Sequence, residues 1–152
     1  MSTALFAGSF NPFTIGHASI VERALPMFDR IIIAVGVNAV KAAESSPAIS
    51  EHNNVKAIRE YARRFPAGKV EVISYSGELT VDVAHRVGAD ILLRGVRSVK
   101  DFEYERDLAD INRRIGGIET VLLYSLPEHE AVSSSVVREL RSYGRDVTDL
   151  LP

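Results

Sequence analysis

Hydrophobic and polar positions follow two rhythms along this chain. Short, nearly unbroken apolar runs, "RIIIAVGV", "VEVIS" and "TVLLY", are separated by longer stretches where apolar residues recur every three or four positions. A short continuous apolar run suits a strand buried on both faces, the pattern of a parallel sheet. The runs predict strands at Thr3–Ala7, Arg30–Val37, Lys69–Tyr75, Ala89–Arg94 and Glu119–Tyr124. The slower rhythm predicts helices at Ala18–Phe28, Glu51–Phe65, Leu79–Val87, Ser98–Ile115 and Ser134–Tyr143. Pro26 obscures the end of the first helix. Gly88 and the Gly116-Gly117 pair supply C-caps, and Ser98 supplies an N-cap. Strict β-α alternation implies an α/β chain: an open, five-stranded parallel sheet with right-handed crossovers and helices on both faces.

At 152 residues the chain is one domain's worth, and no repeat, low-complexity tract or linker divides it. Residues 1–152 therefore read as one domain. The least regular stretch is Asn38–Ser50, "NAVKAAESSPAIS", long for a loop without a task. Composition changes little in this picture. Hydrophobic residues make up 46% and charged residues 25%, ordinary for a globular protein. A net charge of −2 provides no global field for nucleic acid. The absence of cysteine excludes disulfides, thiolate zinc sites and a cysteine nucleophile. The first residues lack a basic segment followed by a long apolar stretch, so no signal peptide is expected, and the longest apolar runs fall far short of the ~20 residues of a membrane span. A cytoplasmic setting is the expectation.

Ligands of open α/β sheets bind beyond the carboxyl ends of the strands. The predicted strand ends gather Gly8, Ser9 and Phe10; Asn38 and Lys41; Ser76, Gly77 and Glu78; Arg94, Gly95 and Arg97; and the run "SLPEHEAVSSS". The loop "GSFNPFTIGH", residues 8–17, is the densest of these. Gly8 allows a close approach, Pro12 stiffens the turn, and Gly16 precedes a helix start where His17 would meet an anion. The loop is neither a Walker A sequence nor a G-x-G-x-x-G fingerprint. Two readings stand side by side: a tight strand-to-helix turn with a surface histidine, or one wall of a phosphate site.

In "RGVRSVKDFEYE", Arg94 and Arg97 flank Gly95 with forks suited to bidentate phosphate binding. Asp101, Glu103 and Glu105 read first as a charged helix face, with Glu105 alternatively meeting a ribose hydroxyl or orienting an arginine. Ser133, Ser134 and Ser135 open the last helix, where one serine caps and free amides suit a phosphate. Lys41 alone is a loop lysine. His52, His85 and His129 lack metal-ligand spacing to nearby partners, and no metal ligand is assigned.

Taken together, "GSFNPFTIGH", "RGVRSVKDFEYE" and "VSSSVVREL" resemble the phosphopantetheine adenylyltransferase family over nearly the whole chain. Thr14 stands where most of the wider nucleotidyltransferase superfamily has a first histidine, and the T-x-G-H form is similar to the phosphopantetheine branch. Ser9 replaces the more common threonine, and "EHEAV" replaces an aromatic and apolar stretch. The resemblance implies a Rossmann-like fold, usually assembled as a homohexamer, a trimer of dimers. It implies transfer of AMP from ATP to 4′-phosphopantetheine, giving dephospho-coenzyme A and pyrophosphate, with Mg²⁺. Carried over by residue, it implies that His17 stabilises the transition state and that Lys41 and Arg94 hold the pantetheine phosphate. Ser9 would touch both substrates, and Thr80 the pantetheine arm. Phe10, Gly95, Val96, Arg97, Glu105 and the stretch His129, Glu130, Ala131, Val132, Ser133, Ser134, Ser135 would line the ATP site with His17. The rivals are an adenylyltransferase of nicotinate or nicotinamide mononucleotide and a non-catalytic nucleotide-binding module.

Overall fold

The computed structural model describes residues 1–37 and 47–152, the side chains of 47–52 excepted. Five strands, β1 (Thr3–Gly8), β2 (Arg30–Gly36), β3 (Val70–Tyr75), β4 (Ile91–Val96) and β5 (Glu119–Tyr124), alternate with helices. The helices are α1 (Ile15–Ala24), α2 (Pro47–Ala62), α3 (Thr80–Val87), α4 (Val99–Gly116) and α5 (Ser134–Ser142). All strand pairings are parallel, in the order β3-β2-β1-β4-β5. The order reverses between β1 and β4, which pair with Ala4 opposite Ile91 and Phe6 opposite Leu93.

The apolar runs make this sheet because alternate residues feed opposite layers. Ala4, Phe6, Ile31, Ile33, Val35 and Leu93 pack with Ile20 and Val21 of α1 and Ile58 and Tyr61 of α2. Leu5, Ala7, Ile32, Ala34 and Leu92 pack with Val81, Val83 and Ala84 of α3 on the other face. Two glycines let helices seat closely. A Cβ at Gly95 would stand 3.1 Å from Ile20 of α1, and one at Gly116 would stand 2.7 Å from Val81 of α3.

Three predicted boundaries move. β4 runs from Ile91 to Val96, two residues past Arg94, so Gly95 and Val96 belong to the strand rather than following it. Helix α1 begins at Ile15, because the buried Thr14 caps it. Helix α2 begins at Pro47, so the last part of the stretch read as irregular is helical. Proline is at home in a first helical turn, where its missing N–H is not needed.

Candidate active site

The site forms where the chain leaves β1 toward α1 on one face and leaves β4 toward α4 on the other. A cleft of about 350 Å³ opens there, at the reversal of strand order where such sheets bind ligands. Its walls include Ser9, Phe10 and His17 from the first loop, Arg94 and Arg97 from β4 and its end, and Ser133–Ser135. A larger concavity of about 1080 Å³, bounded by Phe13, Tyr61, Arg64 and Arg141, shares no lining residue with it. The smaller cleft carries the convergent chemistry.

The β1–α1 loop is built to hold one shape. A Cβ on Gly8 would stand 3.1 Å from the ring of Phe10, so only glycine leaves room for that ring. Phe10 adopts a left-handed φ of 45°, and the Asn11–Pro12 peptide is cis. Left-handed backbone is uncommon outside glycine and persists where the surroundings impose it. Here they do so by direct bonds. Asn54 Nδ2 donates to the Ser9 carbonyl (3.2 Å), Arg138 Nη1 to that of Asn11 (2.6 Å), and Ser134 Oγ to that of Pro12 (2.8 Å).

His17 sits in the first turn of α1, and it is not a surface residue. Phe10 meets its ring edge-on at 5.0 Å, Phe13 stacks on it at 5.4 Å, and Phe6 lies 6.3 Å away. Its Nδ1 accepts the Thr14 backbone N–H at 2.9 Å. Burial, and then the charges of Arg97 and Arg94, pull its pKa from 6.5 down to about 4. The imidazole is therefore neutral at physiological pH, since the charged form loses its hydration and meets two guanidinium groups.

On the opposite wall, Arg94 Nε and Nη2 donate to the two carboxylate oxygens of Glu105 at 2.8 and 2.7 Å. Its Nη1 donates to the Ala7 carbonyl at 2.6 Å. Burial pulls the guanidinium's pKa down, but the hydrogen bonds and charge of Glu105 more than offset it, leaving the value above ordinary. Glu105 is 6% exposed, so it does not belong to a solvated helix face. Of the two alternatives to that face, orienting an arginine is the one the bonds support. Glu103 is exposed, and Asp101 pairs with Arg97.

The serine run divides its tasks. Ser133 caps α5 by accepting the Val136 N–H at 3.1 Å, Ser134 bonds Pro12, and Ser135 Oγ accepts from Arg138. Ser134 spends its proton on Pro12, whereas Ser133 and Ser135 accept and keep theirs. An incoming anion would meet those two protons and the first turn of α5, with its unbonded amides and positive dipole end.

Several predicted positions lie elsewhere. Val96 is 3% exposed and packs in the core, not the cleft. Thr80 opens α3 beyond β3, the outermost strand, and does not line the cleft. His129, Glu130 and Ala131 fall in and just after a 3₁₀ turn (Pro127–His129), also outside the cleft's lining, whereas Val132 is part of it. Lys41 lies outside the described residues. Residues not singled out from sequence include Tyr104 and Ser125 in the cleft wall, the aromatic surround of His17, and Asn54 and Arg138 behind the loop. The one available signal was Thr14-x-x-His17, which has the spacing of a capping box with histidine in the usual acidic position.

A strand-loop-helix anion site at the switch point of a parallel sheet defines a nucleotide-binding α/β protein. Residues 5–140 match the family described as cytidylyltransferase-like. The phosphopantetheine adenylyltransferase of Porphyromonas gingivalis is 54% identical over 98% of this chain and 93% of its own length. That of Bacteroides thetaiotaomicron is 45% identical over 100% of this chain and 96% of its own. A bifunctional NMN adenylyltransferase/ADP ribose pyrophosphatase from Francisella tularensis shares the fold. Its TM-score is 0.66 at 11% identity, over 99% of this chain and 44% of that one. The chain belongs to the phosphopantetheine adenylyltransferase family.

Proposed function

We propose that this protein transfers AMP from ATP to 4′-phosphopantetheine, giving dephospho-coenzyme A and pyrophosphate. Near-full-length identity to proteins named for that activity supports the substrate pair. The observation that carries the site is the convergence of His17, Arg94, Arg97 and the first turn of α5 on one cleft. The reaction is a direct in-line displacement. A phosphate oxygen of phosphopantetheine attacks the α-phosphorus of ATP, a new P–O–P bridge forms, and the bond to the β-phosphate oxygen breaks. A phosphate is already a nucleophile at neutral pH, so the difficulty is the approach of one polyanion to another.

Arg94 and Lys41 hold the attacking phosphate, and Glu105 keeps the Arg94 fork aimed. His17 donates an N–H to charge growing on the α-phosphoryl oxygens. The Arg97 side chain and the α5 amides offset the charge of the ATP phosphates. Catalysis is then positioning and electrostatic stabilisation. Ser9 reaches both substrates, and Thr80 meets the pantetheine arm. A Mg²⁺ ion bound to the ATP phosphates would keep several waters and supply charge neutralisation there.

Assembly of six copies follows the family resemblance. It is supported by the exposed apolar residues of α4, among them Tyr104, Ile111 and Ile115 at 50–62% exposure, which one copy leaves uncovered. No described helix is long and apolar enough to cross a membrane; the cytoplasmic setting we propose rests on a cysteine-free sequence, which fits a reducing compartment. The decisive experiment follows pyrophosphate release with ATP and Mg²⁺ across a panel of acceptors. Turnover with 4′-phosphopantetheine supports the assignment. Turnover with a nicotinate or nicotinamide mononucleotide instead, or ATP binding with no turnover, overturns it.

A further inference from the structure

We propose that Thr14 is a positioning residue that holds His17 in the single tautomer able to donate from Nε2 into the cleft. The inference rests on the reading of His17 as a donor to the substrate phosphates, and it adds how that donor is set. Thr14 is 1% exposed, at the junction of the loop and α1. Its backbone N–H donates to His17 Nδ1 at 2.9 Å, and its hydroxyl lies 3.1 Å from the same nitrogen. A backbone amide has only a proton to offer, so Nδ1 must present its lone pair. The same hydroxyl accepts the His17 backbone N–H at 3.4 Å, which leaves its own proton free to turn toward Nδ1. The amide therefore demands an unprotonated Nδ1, the hydroxyl can donate to the same lone pair, and a neutral ring carries its one proton on Nε2.

The ring cannot satisfy the two donors in another orientation. Phe13 stacks on its face with planes 27° apart, and Phe10 meets it at 85°. Burial and the two arginines keep it neutral. Among the described residues no group bonds Nε2, and the ring lines the cleft. The donor is thus ready before substrate arrives, the arrangement in which electrostatic stabilisation costs no reorganisation during reaction. In outline this is the second partner of a catalytic histidine, supplied here by a helix cap instead of a carboxylate.

The test reads the tautomer directly. Long-range ¹H–¹⁵N correlation spectra of ligand-free, ¹⁵N-labelled protein at pH 7 should show His17 with an unprotonated Nδ1 and a protonated Nε2. An Nδ1–H or doubly protonated ring would overturn the proposal, whatever the enzyme's substrate proves to be. T14V, which keeps the amide and loses the hydroxyl, should keep Nδ1 unprotonated but hold the ring less tightly, and so show a broadened His17 signal. Its kcat should drop about tenfold with little change in KM for ATP. T14S should restore both. A folded T14V with wild-type spectrum and kcat would equally overturn it; if T14V does not fold, the wild-type and T14S spectra decide. A spectrum as expected, in a protein that transfers AMP to no acceptor, would count against the enzymatic reading and leave the tautomer assignment standing.

Discussion

Glu105 grips Arg94 with both carboxylate oxygens, at 2.7 and 2.8 Å, across the wall between β4 and α4. With Nη1 also bonded to the Ala7 carbonyl, the fork has one rotamer and one N–H left on each terminal nitrogen. Those remaining donors are what a substrate phosphate would find. Glu105→Ala should therefore raise KM for 4′-phosphopantetheine about 10–100-fold while KM for ATP moves less. It should also lower Tm, by roughly 2–4 °C for each kcal/mol lost in a chain of this length, because a partly buried charge pair loses one member. Steady-state kinetics with each substrate varied in turn and a thermal melt check both. Equal loss for the two substrates would argue against a role through Arg94.

Arg94→Ala and Lys41→Ala should weaken phosphopantetheine binding more than ATP binding, measured by calorimetry. Arg94→Ala has a further effect, because it strands a buried carboxylate. Arg94→Ala, Glu105→Gln should recover part of the stability lost in the single variant.

His17→Gln should lose about 10²–10³-fold in kcat, the common cost of removing one preorganised donor. The fold should survive, but not at no cost. Three phenylalanines surround the imidazole, so His17→Ala leaves a gap and should lower stability by about 1–2 kcal/mol. A variant with near-normal kcat would remove His17 from the mechanism.

The depressed pKa of His17, about 4 against 6.5, makes a prediction about acid. Between those values the unfolded chain binds a proton that the folded one refuses. Stability contributed by the neutral ring is therefore present above pH 6.5 and lost as pH falls toward 4. By roughly 1.4 kcal/mol per pH unit, the loss from pH 7 to 4 comes to about 3 kcal/mol. Urea unfolding of wild type and His17→Gln at both pH values should show the difference between them, with the variant less sensitive to acid. Identical slopes would mean that the ring titrates normally.

Gly8→Ala tests the loop. The added methyl meets the Phe10 ring at 3.1 Å, so that ring, which lies edge-on to His17, must shift by a few tenths of an ångström. Stability should fall by about 1–2 kcal/mol, while kcat falls by at least tenfold, since small displacements of a catalytic group are costly. A crystal structure with Phe10 unmoved alongside lost activity would count against this route.

What the sequence determined by itself is everything that depends on local pattern. Apolar runs bounded by turn residues specify strands whichever chain surrounds them, so all five were legible within two or three residues. The parallel α/β class followed, and with it the expectation that chemistry gathers at strand ends. Ser98, and one serine of the run 133–135, were legible as caps because capping acts over three or four residues; the structure makes the second of them Ser133. The family resemblance, carried by three short motifs, supplied the reaction.

Tertiary structure decided which of those polar groups are spent on one another. Glu105 lies eleven positions from Arg94, and no periodicity announces a bond between residues on a strand and on the helix after it. Of the three serine hydroxyls, Ser134 gives its proton to the Pro12 carbonyl 122 positions away, which no local pattern announces. His17 was at home in either reading of its loop; three aromatic rings drawn from β1 and the loop made it half-buried and neutral. A side chain's charge and direction depend on its neighbours in space, and burial, which sets both, exists only once the chain has closed.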